Sequence, residues 1–235
     1  MKQPLIIALD FSTREKASDF LKHFQDSPLF IKVGMELFYK EGPSFVKEMK
    51  LAGMKIFLDL KLHDIPHTVY RAARQLAELE IDLLTVHAAG GREMMEQACR
   101  GAEEGTPEGR KRPLIAAVTQ LTSTDDAMLR DELLLYSSME ETVLHYAKNA
   151  KQAGLDGVIC SAFEVPRLKE ECGESFLAVT PGIRAKGDAA GDQKRVATPS
   201  LARQLGSDAI VVGRSITAAA DPAQAYQSMN GEWKK

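Results

Sequence analysis

Acidic and basic side chains alternate in the string DLKLHDIP, which begins at Asp59 and contains Lys61 and Asp64. Because side chains alternate along a strand, Asp59 and Lys61 are expected to point to the same side. Charged groups at a buried strand end are costly unless they are paired, so the string indicates carboxylates that hold an ammonium group. Such a cation can stabilise negative charge that develops in a reaction and can donate a proton to it.

Further polar residues stand at the ends of other apolar runs. Asp10 follows the first run, Lys32 lies in the second, and His87 and Thr119 follow the fourth and fifth. In a barrel of parallel strands, side chains at the carboxyl ends of the strands face the active site. A buried ion-pair array that only closes the barrel would explain any single pair. Charges at the ends of three successive strands instead favour a functional network.

Short apolar runs alternate with longer amphipathic segments along the whole chain. The runs are nearly continuous in Val, Ile, Leu and Phe, which is typical of parallel strands covered on both faces. Strands are predicted at residues 5–9, 30–33, 55–60, 83–86, 114–118, 157–160, 176–179 and 209–212, and helices at 13–24, 35–51, 68–79, 92–101, 140–153, 163–171, 199–205 and 221–229. Eight strand–helix pairs predict an α/β protein, a single (β/α)8 TIM-barrel domain over residues 1–235.

Two connections are longer than such units need, at residues 121–139 and 181–198. The second is polar and contains Gly182, Gly187 and Gly191, so it is expected to act as a lid. The polar end of the chain, residues 230–235, is expected to be a loosely held tail.

Composition restricts the class of protein. The chain has 235 residues, 44% hydrophobic and 27% charged, with a formal net charge of −3. That balance argues against broad electrostatic binding to nucleic acid or to an anionic membrane. The three cysteines show no CxxC spacing, and the apolar run before Asp10 is too short for a secretory signal. A cytoplasmic protein without membrane segments is therefore expected.

A candidate phosphate site follows the seventh and eighth predicted strands. Gly213 allows close approach of backbone amides to a ligand, and Arg214 adds a charged fork. Arg184 could close over the same group, with Gln193 as a hydrogen-bond donor. A glycine turn beside a surface arginine is the alternative, but barrel enzymes often bind phosphate with these two loops.

Other polar residues have more than one interpretation. His63 and His67 could bind a metal together only if a helix begins at Pro66. No motif for a third ligand accompanies them, so surface or loop histidines are favoured. His87 is interpreted as a positioning or structural residue. Thr122 and Ser123 could bond to the edge of a base, or a hydroxyl could cap a short helix near residue 125.

The string DLKLHDIP resembles the DxKxxDIP signature of orotidine 5'-phosphate decarboxylases. The resemblance extends over essentially the whole chain, through ALDF at 8–11, IKVG at 31–34, VTQLTS at 118–123, TPGIR at 180–184 and VVGRSI at 211–216. It implies decarboxylation of orotidine 5'-monophosphate to uridine 5'-monophosphate, the last step of de novo pyrimidine biosynthesis, without metal or organic cofactor.

The same resemblance implies roles for individual residues. Lys61, held by Asp59 and Asp64 and linked to Lys32, would stabilise and protonate the C6 carbanion, and Asp10 and Lys32 would contact the ribose. Asp64 and Thr68 would reach across a two-fold interface into the neighbouring subunit's site, which makes a homodimer with shared active sites. The implied substrate-binding set is Asp10, Lys32, Asp59, Lys61, Asp64, Ile65, Pro66, Thr68, Thr122, Ser123, Pro181, Arg184, Gln193, Gly213 and Arg214.

Two other functions remain open at this point. Metal-dependent sugar-phosphate aldolases and decarboxylases of the same superfamily share DxKxxD, and would respond to magnesium. A non-catalytic nucleotide-binding barrel is the second alternative. The lysine-rich network and the VTQLTS string favour the nucleotide decarboxylase.

Overall fold

A computed structural model describes residues 3–24, 28–188 and 195–235. Eight parallel strands form a closed barrel in sequence order, with β8 paired to β1. The strands are β1 (Leu5–Ala8), β2 (Phe30–Gly34), β3 (Lys55–Leu62), β4 (Leu83–His87), β5 (Leu114–Val118), β6 (Gly157–Ile159), β7 (Leu177–Ile183) and β8 (Ala209–Val212). The predicted (β/α)8 barrel is confirmed.

Helices lie between the strands and cover the outside of the barrel. They are α1 (Arg14–Leu21), α2 (Met35–Leu51), α3 (Pro66–Ala77), α4 (Gly91–Gly105), α5 (Asp126–Asp131), α6 (Met139–Gln152), α7 (Val165–Cys172), α8 (Pro199–Gln204), α9 (Arg214–Thr217) and α10 (Pro222–Lys234). Short 3-10 turns at Lys22–Phe24, Ala88–Gly90 and Ala162–Glu164 adjoin α1, α4 and α7. Within the described ranges, no helix is both long and apolar enough to cross a membrane.

Two apolar layers result from the alternation of side chains along the strands. Ile6, Phe30, Phe57 and Leu83 belong to a small cluster that fills the barrel interior, while Ile7 and its outward-facing counterparts pack under the helices. Each inward-facing apolar residue on β2, β3 and β4 is followed two positions later by a polar residue. Inside the barrel, the layer of side chains at the carboxyl ends of the strands is therefore polar, and the layer nearer their amino ends is apolar.

Helices α3 and α4 pack closely because α4 carries glycines four residues apart. A Cβ atom at Gly101 would lie 2.2 Å from the carbonyl oxygen of Tyr70, and one at Gly105 would lie 2.1 Å from that of Arg74. Only glycine permits this approach. The contact fixes the loops that precede the two helices, and these loops follow the polar ends of β3 and β4.

Several predicted boundaries differ from those observed. β3 continues to Leu62 and β7 to Ile183, and α3 begins at Pro66, where a missing backbone N–H costs nothing. The connection at 121–139 contains α5, capped by the Asp125 carboxylate, which accepts a hydrogen bond from the Met128 backbone N–H at 2.8 Å. The short helix weighed from the sequence near residue 125 is thus present.

The prediction of a loose tail at residues 230–235 is wrong. α10 extends to Lys234, and Trp233 is fully buried. The indole Nε1 donates a hydrogen bond to the carbonyl oxygen of Gln3 at 2.7 Å, and the Arg203 guanidinium lies over the ring. The polar neighbours of Trp233 concealed its role, because one large aromatic residue can hold a terminal turn that is otherwise hydrophilic.

Replacing Trp233 with alanine should lower the free energy of unfolding by about 3–5 kcal/mol, the usual cost of emptying a buried aromatic site. Urea unfolding followed by circular dichroism measures this change. Lys234→Ala is the matched control, because Lys234 is exposed on the same turn. Equal unfolding midpoints for the two variants would contradict the anchoring role of Trp233.

Candidate functional site

A cavity of about 460 Å³ opens at the carboxyl ends of the strands. Its floor is the top of the apolar barrel interior, and its walls are polar side chains from β1, β2 and β3 and from the loops after β5, β7 and β8. The floor residues are Ala8, Phe57, Val118, Ile159 and Val211. An apolar floor below a charged rim excludes water beneath a ligand while leaving charges beside it.

Four charged side chains form an alternating chain along one wall. The Lys32 Nζ lies 2.9 Å from Asp10 Oδ1 and 3.7 Å from Asp59 Oδ2, and the Lys61 Nζ lies 3.1 Å from Asp59 Oδ2. Asp59 is thus shared by both lysines. The side chains of Lys32 and Asp59 are only 12% and 13% exposed, whereas that of Asp10 is 63% exposed. The part of the predicted network formed by these four side chains is present without Asp64, and mutual pairing compensates the cost of burying it.

The strand that carries Lys61 is irregular at that residue. Pairing of β3 with β4 runs through Leu58↔Leu84 and resumes only at Leu62↔Val86. Lys61 has a φ of 52°, in the left-handed region that non-glycine residues avoid. Its backbone N–H donates to the hydroxyl of Thr85 at 3.0 Å, and that hydroxyl donates to Asp59 Oδ1 at 3.0 Å. Asp59 and Lys61 do meet, but through a bulge rather than regular alternation.

Two arginines line the opposite end of the cavity. Arg184 follows β7 and Arg214 follows β8, and the Ala185 backbone N–H donates to Ser215 Oγ at 3.4 Å, which joins the two loops. Burial, and then the charge of Arg214, lower the pKa of Arg184 from its ordinary value. Mutual repulsion of two guanidinium groups would be relieved by an anion between them. This end of the cavity suits a phosphate group.

The loop after β5 forms a third wall. Gln120, Leu121 and Thr122 line the cavity there, and Cys160 lines it from the end of β6. Burial raises the pKa of the Cys160 thiol to about 12, so the sulfur is an uncharged wall atom. This wall offers hydrogen-bonding side chains beside apolar surface, which suits a flat polar ring.

An ion pair ties three of these loops together. The Arg195 guanidinium contacts the buried carboxylate of Glu164, and its Nη2 donates to the carbonyl oxygen of Leu121 at 3.2 Å. Glu164 Oε2 also accepts a hydrogen bond from the Ser161 backbone N–H at 2.8 Å. The loops after β5, β6 and β7 therefore share one anchor on the side away from the lysines.

The structure brings most of the predicted site residues to this cavity, but not all. Those that line it are Asp10, Lys32, Asp59, Lys61, Thr122, Pro181, Arg184, Gly213 and Arg214, whereas Asp64, Ile65, Pro66, Thr68 and Ser123 do not. The Asp64 carboxylate is exposed and accepts a hydrogen bond from the Ile65 backbone N–H at 2.7 Å. Within one chain, Lys61 is paired with Asp59 and not with Asp64. Gln193 lies outside the described residues.

Two histidines, His63 and His87, lie near the site but do not line the cavity. His87 stacks on His63 with ring centroids 5.3 Å apart, and its Nδ1 accepts a hydrogen bond from the Ala89 backbone N–H at 3.2 Å. Burial, and then the charges of His63 and Lys61, lower the pKa of His87. These contacts are consistent with the prediction that His87 is a positioning or structural residue. In the parts of the chain that the structure describes, no three His, Cys, Asp or Glu side chains converge as metal ligands would.

Sequence reasoning missed several residues that shape the site. Thr85 lies inside an otherwise hydrophobic strand, which hides it from a search for polar strand ends. The signal that could reveal it is its position two residues after the inward-facing Leu83. Gln120 and Thr217 line the cavity, and Glu164 and Arg195 pair across the loops. The Glu164–Arg195 pair is separated by 31 residues, which include α7 and β7, so no local pattern could reveal it.

Comparison with known proteins gives a consistent result. A family model described as orotidine 5'-phosphate decarboxylase / HUMPS family matches residues 3–229. A protein of Bacillus cereus (strain Q1) named orotidine 5'-phosphate decarboxylase is 56% identical over 234 residues, covering 100% of this chain and 98% of its own. A Bacillus cytotoxicus protein of the same name is also 56% identical over 234 residues, with the same two coverages.

Solved structures are similar over nearly the whole chain. Orotidine 5'-phosphate decarboxylase from Lactobacillus acidophilus superposes with a TM-score of 0.90 at 48% identity, covering 99% of this chain and 100% of that one. An uncharacterized conserved protein from Geobacillus kaustophilus gives a TM-score of 0.88 at 53% identity, covering 98% and 100%.

The lowered pKa of His87 predicts a specific dependence of stability on pH. The unfolded chain binds the proton more readily than the folded chain, so stability falls as the pH drops below the unfolded value of about 6.5. His87→Gln should lose less stability than the unaltered chain between about pH 7.5 and about pH 5, measured by urea unfolding. His145→Gln is the control, because His145 is exposed on α6. Equal losses for His87→Gln and the unaltered chain would contradict the lowered pKa of the half-buried His87.

Proposed function

The chain belongs to the orotidine 5'-phosphate decarboxylase / HUMPS family, and we propose that it converts orotidine 5'-monophosphate to uridine 5'-monophosphate and CO2. This reaction is the last step of de novo pyrimidine biosynthesis. The observation that carries the proposal is the alternating Asp10–Lys32–Asp59–Lys61 chain, which faces two arginines across one cavity.

The chemical difficulty lies at C6 of the pyrimidine ring. When the bond from C6 to the carboxylate carbon breaks, the electron pair stays on C6 and CO2 departs. No adjacent atom of the ring accepts that pair, so a preorganised cation must face it. A proton must then be delivered to C6 to give the product.

Lys61 meets both requirements. Its ammonium is the cation of the network nearest the open cavity, 27% exposed against 12% for Lys32. Asp59 holds it in place, so little reorganisation is needed as charge develops on C6. One Lys61 N–H proton passes to C6, and the neutral amine is reprotonated from water. The Asp59 carboxylate would also lie beside the departing carboxylate of the substrate and disfavour its charge.

The phosphate supplies binding energy at a distance from the reacting carbon. Arg184 and Arg214 would hold its oxygens, with backbone at Gly213 close beside it. Enzymes typically remove about 8–23 kcal/mol from a barrier, more than one lysine can supply. Contacts to phosphate would therefore help to assemble the site around the ring, with Gln193 as an additional donor from the same loop.

The remaining groups orient the nucleoside. A ribose between the phosphate end and Lys61 would lie beside Asp10 and Lys32, whose carboxylate and ammonium groups suit its hydroxyls. Thr122 lines the wall that suits the pyrimidine, Pro181 also lines the cavity, and the exposed Ser123 follows Thr122 directly in the chain. This order of groups matches a nucleotide from phosphate to base.

A second copy of the chain would complete the site. Asp64 and Thr68 are exposed near the mouth of the barrel, and the Ile65 side chain between them is 67% exposed. A large exposed apolar residue beside an exposed carboxylate suits a subunit interface. In a two-fold dimer, Asp64, Ile65, Pro66 and Thr68 of each subunit would approach Lys61 of the other.

We also propose that residues 1–235 form one domain that works in the cytoplasm. The thiols of Cys99, Cys160 and Cys172 are all free, which fits a reducing compartment.

The first test follows absorbance at ultraviolet wavelengths as the purified chain is mixed with orotidine 5'-monophosphate. Lys61→Ala should lower kcat by at least about a hundredfold to a thousandfold, because it removes both the cation and the proton donor. Folding should persist, since Asp59 remains close to Lys32. Lys55→Ala is the matched control, because Lys55 is an exposed lysine at the other end of the same strand.

Several results would count against this assignment. Substantial turnover by Lys61→Ala would remove Lys61 from the central role. No turnover by the unaltered chain would contradict the function itself. Loss of activity on adding a chelator, restored by magnesium, would favour the sugar-phosphate chemistry of the wider superfamily.

The second test addresses the shared site by mixing inactive variants. Lys61→Ala and Asp64→Asn should each be inactive alone, but a mixed dimer has one site with both residues intact. Random reassembly should restore about a quarter of the unaltered activity. The control pair is Lys61→Ala with Asp59→Asn, which lie on one subunit and should restore nothing. Equal behaviour of the two pairs would contradict the shared site.

A further inference from the structure

The bulge in β3 leaves three residues opposite one residue of β4. Pairing stops after Leu58↔Leu84 and resumes at Leu62↔Val86, so residues 59–61 lie opposite Thr85. Lys61 takes its unusual positive φ within this interval. A lysine gains nothing by itself from a left-handed backbone, so surrounding contacts must hold it there.

Thr85 provides those contacts through one buried hydroxyl. The residue is 0% exposed, and its Oγ1 lies 3.0 Å from the Lys61 backbone nitrogen and 3.0 Å from Asp59 Oδ1. A hydroxyl has one proton to donate, and an ionised carboxylate can only accept. The proton of Thr85 therefore points to Asp59, and a lone pair of its oxygen accepts the Lys61 N–H.

We propose that Thr85 is a positioning residue that sets both members of the Asp59–Lys61 pair at once. The inference rests on the proposed function, since it concerns how Lys61 is held for the reaction at C6. Thr85 is not one of the described residues that line the cavity, so it acts through Asp59 and Lys61 and not on the substrate directly. In the bulge, the Thr85 hydroxyl accepts the hydrogen bond from the Lys61 N–H, in place of a backbone carbonyl of β4 in regular pairing.

In the described parts of the chain, the hydrogen bond to Asp59 Oδ1 comes from Thr85. Asp59 Oδ2 is already shared between Lys32 and Lys61, at 3.7 and 3.1 Å, so Oδ1 is the oxygen that fixes the rotation of the carboxylate. Without the hydroxyl, Oδ1 and the Lys61 N–H would both lose a partner in a buried place. The carboxylate could then rotate, and Lys61 could leave its strained backbone conformation.

The experiment compares Thr85→Val, which keeps the shape and removes the hydroxyl, with Thr85→Ser, which keeps the hydroxyl. We expect Thr85→Val to lower kcat for orotidine 5'-monophosphate by about tenfold to a hundredfold. KM should change far less, because the phosphate and pyrimidine contacts are intact. Thr85→Ser should recover most of the loss in kcat. Thr106→Val is the control. Thr106 follows the last residue of α4, and its hydroxyl also makes a hydrogen bond, to the carbonyl oxygen of Ala102 at 2.7 Å.

A merely structural role would give a different pattern. Thr85→Val would then lower the thermal midpoint as Thr106→Val does and leave kcat unchanged, which would overturn the proposal. Equal kcat for Thr85→Ser and Thr85→Val would also overturn it, because the hydroxyl would not be the active feature. If Thr85→Val does not fold, Thr85→Ala takes its place in the same comparison with Thr85→Ser.

A crystal structure of the variant separates this inference from the proposed function. In Thr85→Val, Lys61 should lose its positive φ or its 3.1 Å contact with Asp59. An unchanged Lys61 and Asp59 would overturn the positioning role, whatever the activity. Failure of the unaltered chain to decarboxylate the nucleotide would instead contradict the function, and the structural comparison would still decide the role of Thr85.

Discussion

The contact between the Lys61 ammonium and the Asp59 carboxylate is the interaction on which the rest of the site depends. Each group would be costly at the rim of an apolar barrel without the other, and Lys32 and Asp10 extend the pairing outward. Adjacent parallel strands make this arrangement possible, because β1, β2 and β3 end at the same rim. The barrel thereby holds a cation that faces the cavity before any substrate arrives, which is the condition for electrostatic catalysis.

Separate parts of the barrel hold the two ends of the cavity. Strands β1 to β3 carry the charged chain, and the loops after β7 and β8 carry Arg184 and Arg214. Arg195 and Glu164 join the loops after β5, β6 and β7 at a distance from the lysines. A ligand that binds these arginines would thus contact elements other than the strand that carries the Asp59–Lys61 pair. This separation suits an enzyme that uses remote binding to assemble a site for difficult chemistry.

Local patterns were sufficient for the barrel and for most of the rim. The continuous apolar strands and their spacing predicted all eight strands, and polar residues at strand ends predicted Asp10, Lys32, Asp59 and Lys61. The left-handed conformation of Lys61 could not be predicted, because it depends on a missing partner in β4 and on the Thr85 hydroxyl. Trp233 was misjudged for a similar reason, since its partner Gln3 lies at the other end of the chain. Asp64 does not pair with Lys61 within one chain, and its proposed contact with a second subunit would leave no local pattern in the sequence.

The most direct test of the account is a crystal structure of the chain with uridine 5'-monophosphate bound. The account predicts that the Lys61 Nζ lies within about 3–3.5 Å of C6 of the uracil ring, the distance at which a proton can pass between them. It also predicts that the phosphate lies between Arg184 and Arg214. A uracil ring whose C6 faces another group, with Lys61 distant from it, would contradict the central claim.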